Sequence, residues 1–180
     1  KTNALYGKKI IMAVKEGGSP DPNTNRALAD LIKQAKANSV PVDNINRAIQ
    51  RASEASAGDF KESTFEAYGF GGASFVVNVL SDNNNRAAAD VKSTINKRDG
   101  KIAESGSVLF MYDRKGKAEF EWEIDEDTLL EAAIEAGIDD YELSVEDGVT
   151  SILTEPKELS LMVDAIKTLG KEDGIKMALI

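Results

Sequence analysis

Histidine and cysteine are both absent from this chain of 180 residues. Their absence excludes disulfide bonds, thiolate nucleophiles, Ser-His-Asp and Cys-His triads, and zinc sites built from Cys and His. It also removes the side chain whose ordinary pKa lies near neutrality. The sequence has no apolar run long enough to span a bilayer, so we expect no membrane partner. Most common enzyme mechanisms are thereby excluded, and we expect a protein with no catalytic residue, no bound metal and no cofactor.

Charge is divided unevenly along the chain. Residues 1–55 carry nine Lys/Arg against five Asp/Glu, residues 56–120 carry nine of each, and residues 121–180 carry four against seventeen. The formal charge of −9 therefore conceals a basic beginning and an acidic end. Such asymmetry can mean a basic face that meets a polyanion and an acidic end that stays clear of it. Ordinary solvated surfaces would give the same totals.

The first 55 residues predict three short amphipathic helices joined by short loops. The Gly/Pro-rich stretch at 17–22 ends the first helix, and Asn23 or Thr24 can cap the second. Pro41 suits the first turn of the third helix. Helices of this length bury their apolar stripes by packing on one another, which predicts a basic three-helix bundle over residues 1–55.

The periodicity changes after a small, polar stretch at 53–58, which we interpret as a linker. Beyond it, alternation and β-branched runs predict strands at 65–68, 74–80 and 107–112, with a helix at 84–97 before the last of them. This β-β-α-β order is short of a balanced fold. Residues 59–116 therefore predict a middle α+β domain that is incomplete.

Residues 117–180 predict an acidic unit that closes by itself. Strand, helix, strand, strand, helix and strand are expected at 118–124, 125–136, 141–145, 150–154, 156–169 and 175–180. That order is the one of a ferredoxin-like split βαβ unit. The predicted fold class is therefore α+β, with an N-terminal three-helix bundle, a middle α+β domain and an inserted ferredoxin-like βαββαβ domain.

Two further features could carry chemistry. Gly69, Gly71 and Gly72 could bring backbone N–H groups close to an anion, but they join two strands, so we expect a structural hairpin first and backbone contact to a partner second. Acidic clusters at 125–127 and 139–140 lack the spacing of a calcium loop, and the first suits the positive end of a helix dipole. A metal-assisted hydrolase built on these carboxylates would lack a recognisable nucleophile.

The most informative feature is a set of basic side chains opposite the apolar stripes of the predicted helices. Arg47 and Arg51 form an i, i+4 pair on the third helix. Guanidinium and ammonium groups suit phosphate oxygens, although any solvated helix carries some Lys and Arg. The candidate nucleic-acid-binding residues are Lys8, Lys9, Arg26, Lys33, Lys36, Arg47, Arg51 and Arg86.

Several motifs resemble those of the YebC/PmpR family. They are EGGSPDP at 16–22, NRAL at 25–28, PVDNINRAI at 41–49, YGFGG at 68–72, SDNNNR at 81–86, GSV at 106–108 and LLEAAIEAG at 129–137. The similarity follows the same order over nearly the whole chain. It departs at Phe70, where the family usually has Pro, and at Asn84, where it usually has Arg, which leaves Arg86 alone in that turn.

The resemblance implies three domains, the acidic one inserted into the middle one. It also implies additional chain at both ends, including a basic N-terminal stretch, so we expect the present chain to bind nucleic acid more weakly than the intact protein.

Members of the family have been described as translation factors and as DNA-binding transcriptional regulators. We favour a translation factor that binds ribosomal or messenger RNA on the ribosome, because the chain offers no recognition helix with clustered Asn and Gln. Duplex DNA is the alternative partner. We also expect a monomer. A start without an initiator Met fits a protein of the mitochondrial matrix or another organelle after removal of a presequence, with the bacterial cytoplasm as the alternative.

Overall fold

A computed structural model of the chain describes residues 2–54, 57–170 and 174–180. Residues 55 and 56 of the predicted linker lie outside this described part. The chain forms two compact units, the first with Lys1–Leu28 and Val42–Asp113, the second with Ala29–Pro41 and Arg114–Ile180. Within the described ranges, every helix is too short or too polar to cross a bilayer. The predicted domain boundaries at 55–59 and 116–117 stay a prediction.

Three helices begin the chain: α1 (Thr2–Gly17), α2 (Arg26–Ala37) and α3 (Val42–Ala52). In the first unit α1 packs against α3. Their buried apolar side chains recur at helical spacing and include Ile10, Ile11, Val14, Ile45, Ala48 and Ala52. The N-terminal helical region of the prediction is therefore confirmed.

The cap of α2 is Asn25, which corrects the predicted Asn23 or Thr24. Asn25 is buried, and its side-chain oxygen accepts from the backbone N–H of Leu28 at 3.1 Å. Its amide donates to the carbonyls of Ala13 at 2.9 Å and Ser19 at 3.0 Å, so one side chain both caps α2 and fixes the end of α1. The side chains of Asn23 and Thr24 make other contacts: the Asn23 amide donates to the carboxylate of Asp21 at 2.9 Å, and the Thr24 hydroxyl lies 2.7 Å from the hydroxyl of Ser19.

From Ala29 onward α2 belongs to the second unit, a feature that the apolar period does not reveal. Ala37 packs against the core of that unit. The amide of Asn38 donates to the carbonyls of Gln34 and Met177, each at 2.8 Å. The bond to Met177 attaches the end of α2 to the last strand of the second unit.

The sheet of the first unit has the order β2-β1-β3, formed by β1 (Lys61–Tyr68), β2 (Ser74–Ser81) and β3 (Lys101–Ile102). The antiparallel β1–β2 hairpin runs in register from Lys61↔Ser81 to Tyr68↔Ser74. Helix α4 (Asn84–Asn96) follows, and Asn83 caps it by accepting from the backbone N–H of Arg86 at 2.9 Å.

The strand predicted at 107–112 is absent, and a short 3-10 turn occupies Leu109–Met111. The cause is the buried Glu66 of β1, whose carboxylate accepts from the backbone N–H of Gly106 at 2.5 Å and from those of Val108 and Leu109 at 2.7 Å. These backbone donors are therefore unavailable to a sheet partner. The same bonds, with Gly106 first, lower the pKa of Glu66.

The second unit confirms the ferredoxin-like prediction. Its elements are β4 (Gly116–Phe120), α5 (Glu126–Glu135), β5 (Tyr141–Glu146), β6 (Val149–Thr154), α6 (Leu159–Thr168) and β7 (Lys176–Leu179). The strands pair antiparallel in the order β5-β6-β4-β7. The two helices contact each other, and their apolar faces join the sheet in one core that contains Phe120, Leu129, Ile152, Met162, Ile166 and Met177.

Two boundaries in the second unit differ from the sequence prediction by three residues or more. β4 ends at Phe120, after which the Trp122 ring stacks on the Phe120 ring at 3.9 Å between centroids and the Trp122 carbonyl accepts from the hydroxyl of Thr150. α6 begins at Leu159, because a turn in which the N–H of Glu158 donates to the carbonyl of Glu155 precedes it.

Candidate nucleic-acid interface

A groove of about 490 Å³ opens between α1, α3 and residues 57–60 of the first unit. Ile11 and Ala48, which are buried where α1 packs on α3, form part of its lining. Lys8 contributes from α1, and Arg47 and Arg51 contribute from successive turns of α3. Residues four apart on a helix share one face, so the two guanidinium groups lie along the same side of the groove.

Local contacts orient these cations. The guanidinium of Arg47 donates to the side-chain oxygen of Asn44, and its Nε donates to the carbonyl of Asp43 at 3.3 Å. The ammonium of Lys8 lies 5.3 Å from the centroid of the Phe60 ring, within the range of a cation–π contact. Phe60 also lines the groove. The groove thus combines three positive charges with one aromatic ring.

Lys15, which sequence reasoning did not single out, holds one wall of the groove in place. Its ammonium donates to the carbonyls of Ala57 at 2.6 Å and Gly58 at 3.3 Å. Ala57 and Gly58 both line the groove. The sequence gives no signal for this contact, since more than forty residues separate the partners and the acceptors are backbone atoms.

The remaining predicted residues of the first unit do not line the groove. The ammonium of Lys9 lies 3.8 Å from the carboxylate of Glu62, and Arg86 pairs with Asp82 at 2.7 Å. Arg26 is the first residue of α2 and is exposed. The structure therefore brings together Lys8, Arg47 and Arg51 in one site and leaves these three residues outside it.

Lys33 and Lys36 belong to the second unit, because they lie on the later part of α2. The ammonium of Lys33 is 2.6 Å from the carboxylate of Asp164 on α6. These two lysines line a separate pocket in that unit.

The exposed face of α3 carries Asn46 and Gln50 beside Arg47 and Arg51. Asn and Gln can form paired hydrogen bonds with adenine, and Arg with guanine. The expectation that the chain offers no recognition helix with clustered Asn and Gln overlooks this set. The structure shows that base-contacting side-chain types do lie together on one helix.

The glycine stretch forms the turn of the β1–β2 hairpin, as the structural interpretation predicted. Gly71 and Gly72 have φ values of 68° and 82°, a region that favours glycine. The N–H of Gly69 donates to the carbonyl of Ala73 at 2.7 Å, so it is already used within the turn. Phe70 is 93% exposed at the tip. Backbone contact to a partner at this turn stays a prediction.

The acidic cluster at 125–127 has a structural role at the start of α5. Asp125 caps the helix: its carboxylate accepts from the hydroxyl of Thr128 at 2.7 Å and from the Thr128 N–H at 2.9 Å. Both bonds, the hydroxyl first, lower the pKa of Asp125. In the described part of the chain, three or more acidic side chains nowhere converge as a metal site.

Comparison with known proteins gives matches along nearly the whole chain. The family model described as the TACO1/YebC protein N-terminal domain matches residues 1–55, and the one described as the TACO1/YebC second and third domain matches residues 60–179.

Two curated relatives carry the name probable transcriptional regulatory protein. The protein of Lacticaseibacillus casei is 40% identical over 166 residues, which cover 91% of this chain and 67% of the relative. The protein of Enterococcus faecalis is 42% identical over 167 residues, which cover 91% and 68%. This chain therefore spans about two thirds of the length of these relatives.

A crystal structure of a conserved hypothetical protein from Aquifex aeolicus has a similar fold. The TM-score is 0.75 at 32% sequence identity, over 98% of this chain and 74% of that one.

Proposed function

The chain belongs to the TACO1/YebC family, and from that premise we propose that it is a non-enzymatic translation factor that binds ribosomal or messenger RNA through the groove of its first unit. The observation that carries this proposal is the convergence of Lys8, Arg47 and Arg51 on one groove that also contains an aromatic ring. Membership of the family fits the YebC/PmpR resemblance that the motifs indicate.

The shape of the site favours RNA over duplex DNA. Proteins recognise RNA chiefly at unpaired nucleotides, which they bind with aromatic rings and phosphate-contacting cations. A groove of about 490 Å³ is large enough for such a nucleotide, since small-molecule sites span about 300–1,000 Å³. Phe60 and Lys8 supply a ring face and a cation within 5.3 Å of each other, and the arginines supply donors to the flanking phosphates.

DNA-binding transcriptional regulation is the second candidate, and two observations favour it. The relatives named above carry the description probable transcriptional regulatory protein. The exposed face of α3 places Asn46 and Gln50 beside two arginines, as base readout in a major groove requires. Competition between duplex DNA and ribosomal RNA at fixed salt separates the candidates. A preference of more than about a hundredfold for one promoter duplex favours the regulator.

The relatives come from bacteria, which favours the bacterial cytoplasm over the mitochondrial matrix as the location of this protein. The proposed translation factor acts as a monomer.

The test of the proposed function is crosslinking of the protein in cell extract, followed by sequencing of the attached nucleic acid. We expect ribosomal or messenger RNA to be recovered, and the R47E/R51E variant to lose most of it, because the reversed charges repel phosphate. The matched control is R98E/R114E, which makes the same charge change at two exposed arginines outside the groove. Equal recovery from all three proteins would refute the role of the groove.

A further inference from the structure

The second unit has a pocket of its own, of about 490 Å³, between the later part of α2, α6 and β7. Four lysines line it: Lys33 and Lys36 from α2, Lys167 from α6 and Lys176 from β7. The α2 pair is far in the sequence from the other two lysines, and the two pairs converge only through the fold. No acidic side chain is among the residues that line the pocket in the described part of the unit.

This concentration of positive charge stands out against its surroundings. Residues 121–180 contain only four Lys/Arg against seventeen Asp/Glu, and two of those four basic residues line this pocket. Ordinary solvation would spread so few lysines over an acidic surface, where each could meet a carboxylate. Their convergence with two lysines of α2 makes one cationic site in an acidic unit.

Helix ends and nearby carboxylates stabilise some of these four lysines in place, but they do not neutralise all of them. Lys36 and Lys167 lie in the last turns of their helices, where a cation stabilises the helix dipole. Lys33 pairs with Asp164 at 2.6 Å. Lys176 faces Glu119 in the β4–β7 register, but the carboxylate of Glu119 is already bound by Lys117. Among the residues that the structure describes, the pocket therefore keeps a net positive charge.

The pocket is also held in shape before any ligand arrives. Asn38 attaches the end of α2 to β7 through the carbonyl of Met177, which itself lines the pocket. Ser39, which has a positive φ of 58°, also lines the pocket. Pre-formed donors lose less conformational freedom on binding than mobile ones do.

We propose that this pocket binds phosphate groups of a polyanion, and that it takes at least two of them at once. Lysine ammonium groups act as point charges for phosphate oxygens, and four of them from three elements exceed what a single phosphate needs. A ribose-phosphate chain and a free polyphosphate share this chemistry. The site goes beyond the function proposed above, because it gives the acidic unit a contact of its own.

The experiment titrates the whole chain with two probes, sodium tripolyphosphate and a single-stranded RNA oligonucleotide, and follows the backbone amides of Ser39 and Met177 by NMR together with the dissociation constants. The test variant is K167Q/K176Q. The control K92Q/K157Q removes the same two charges from exposed positions outside the pocket. We expect the test variant to weaken binding at least about tenfold at low salt and to reduce the salt slope of RNA binding by about 1.4, at about 0.7 for each lost phosphate contact, whereas the control changes little.

The outcomes distinguish a free polyphosphate from a ribose-phosphate chain as the source of phosphate, and they distinguish the pocket from the groove as the binding site. Shifts at the pocket with tripolyphosphate support a site for phosphate from any source, and shifts with RNA alone support the ribose-phosphate chain. Absence of shifts with both probes, or equal weakening in test and control variants, overturns the inference. R47E/R51E should leave tripolyphosphate binding at the pocket unchanged. RNA binding that is lost in R47E/R51E but intact in K167Q/K176Q, together with no shift at the pocket on adding tripolyphosphate, would overturn the pocket and leave the proposed function standing.

Discussion

Neutralising the three cations of the groove should reduce the salt dependence of RNA binding by a predictable amount. The perturbation is the triple variant K8Q/R47Q/R51Q, which leaves polar side chains in place while removing three positive charges that line one site. Each phosphate contact to a single strand contributes about 0.7 to the slope of log affinity against log salt, so three contacts contribute about 2. Between 50 and 200 mM salt, such a slope lowers affinity about twentyfold.

The assay is fluorescence anisotropy of a labelled RNA oligonucleotide at several salt concentrations between those limits. The wild-type slope should lie near −2 or steeper, and the variant should lose about 2 of it. The control K92Q/R98Q/R114Q carries the same net charge, with the substitutions at exposed positions outside the groove. If the slope falls equally in both variants, long-range charge alone explains the result. If the groove variant keeps the full slope, the three cations do not contact phosphate.

Three predictions concern the stability of the fold. Asn25→Ala should lower the free energy of unfolding by about 2–4 kcal/mol in a urea titration, since it removes a helix cap and leaves buried carbonyls without their donor; a loss below about 0.5 kcal/mol would contradict this. Glu66→Gln should lower the melting temperature at neutral pH. Folding lowers the pKa of Glu66, so the stabilisation by its carboxylate is present above the ordinary pKa of a carboxyl group and is lost as the pH falls through the lowered value. The difference in melting temperature between the wild type and Glu66→Gln should therefore narrow in acid. A difference in melting temperature that is independent of pH would refute the role of the charge. Gly116→Ala should lower the free energy of unfolding by about 1–3 kcal/mol, because a Cβ there would lie 2.8 Å from Leu159 Cβ. Urea unfolding followed by Trp122 fluorescence should then have its midpoint at a lower urea concentration. An unchanged midpoint would mean that Leu159 moves aside without cost.

The second unit could be predicted from the sequence because its signals are local. Alternation in the strands, the Glu146 to Val149 hairpin and the glycine after α5 act over a few residues, and the ferredoxin-like order follows from their succession. The core side chains then fall on the faces that the periods indicate.

The misplaced strand at 107–112 has a different origin. Its residues are apolar enough for a strand, and what prevents one is a carboxylate about forty positions earlier in the chain. A glutamate that alternates with apolar residues in a strand is expected to point to solvent. Burial of Glu66 is a tertiary effect, because backbone donors from a distant segment satisfy its charge.

The site could be predicted only in part for the same reason. Arg47 and Arg51 share a helical face by spacing alone, and Lys8 shares the predicted basic surface. The contact of Lys15 with the groove wall and the meeting of Lys33 with Lys167 and Lys176 depend on segments that converge after folding. The periodicity of α2 shows which side is polar, but it does not show which unit that side joins.

The Glu66 carboxylate also determines how its loop exchanges hydrogen with the solvent. One side chain accepts from the amides of Gly106, Val108 and Leu109 in place of a ladder of separate strand partners. When that side chain moves away, all three amides lose their acceptor in a single event. Their deuterium uptake should therefore follow one common opening rate, whereas amides within the β1–β2 hairpin open through other fluctuations.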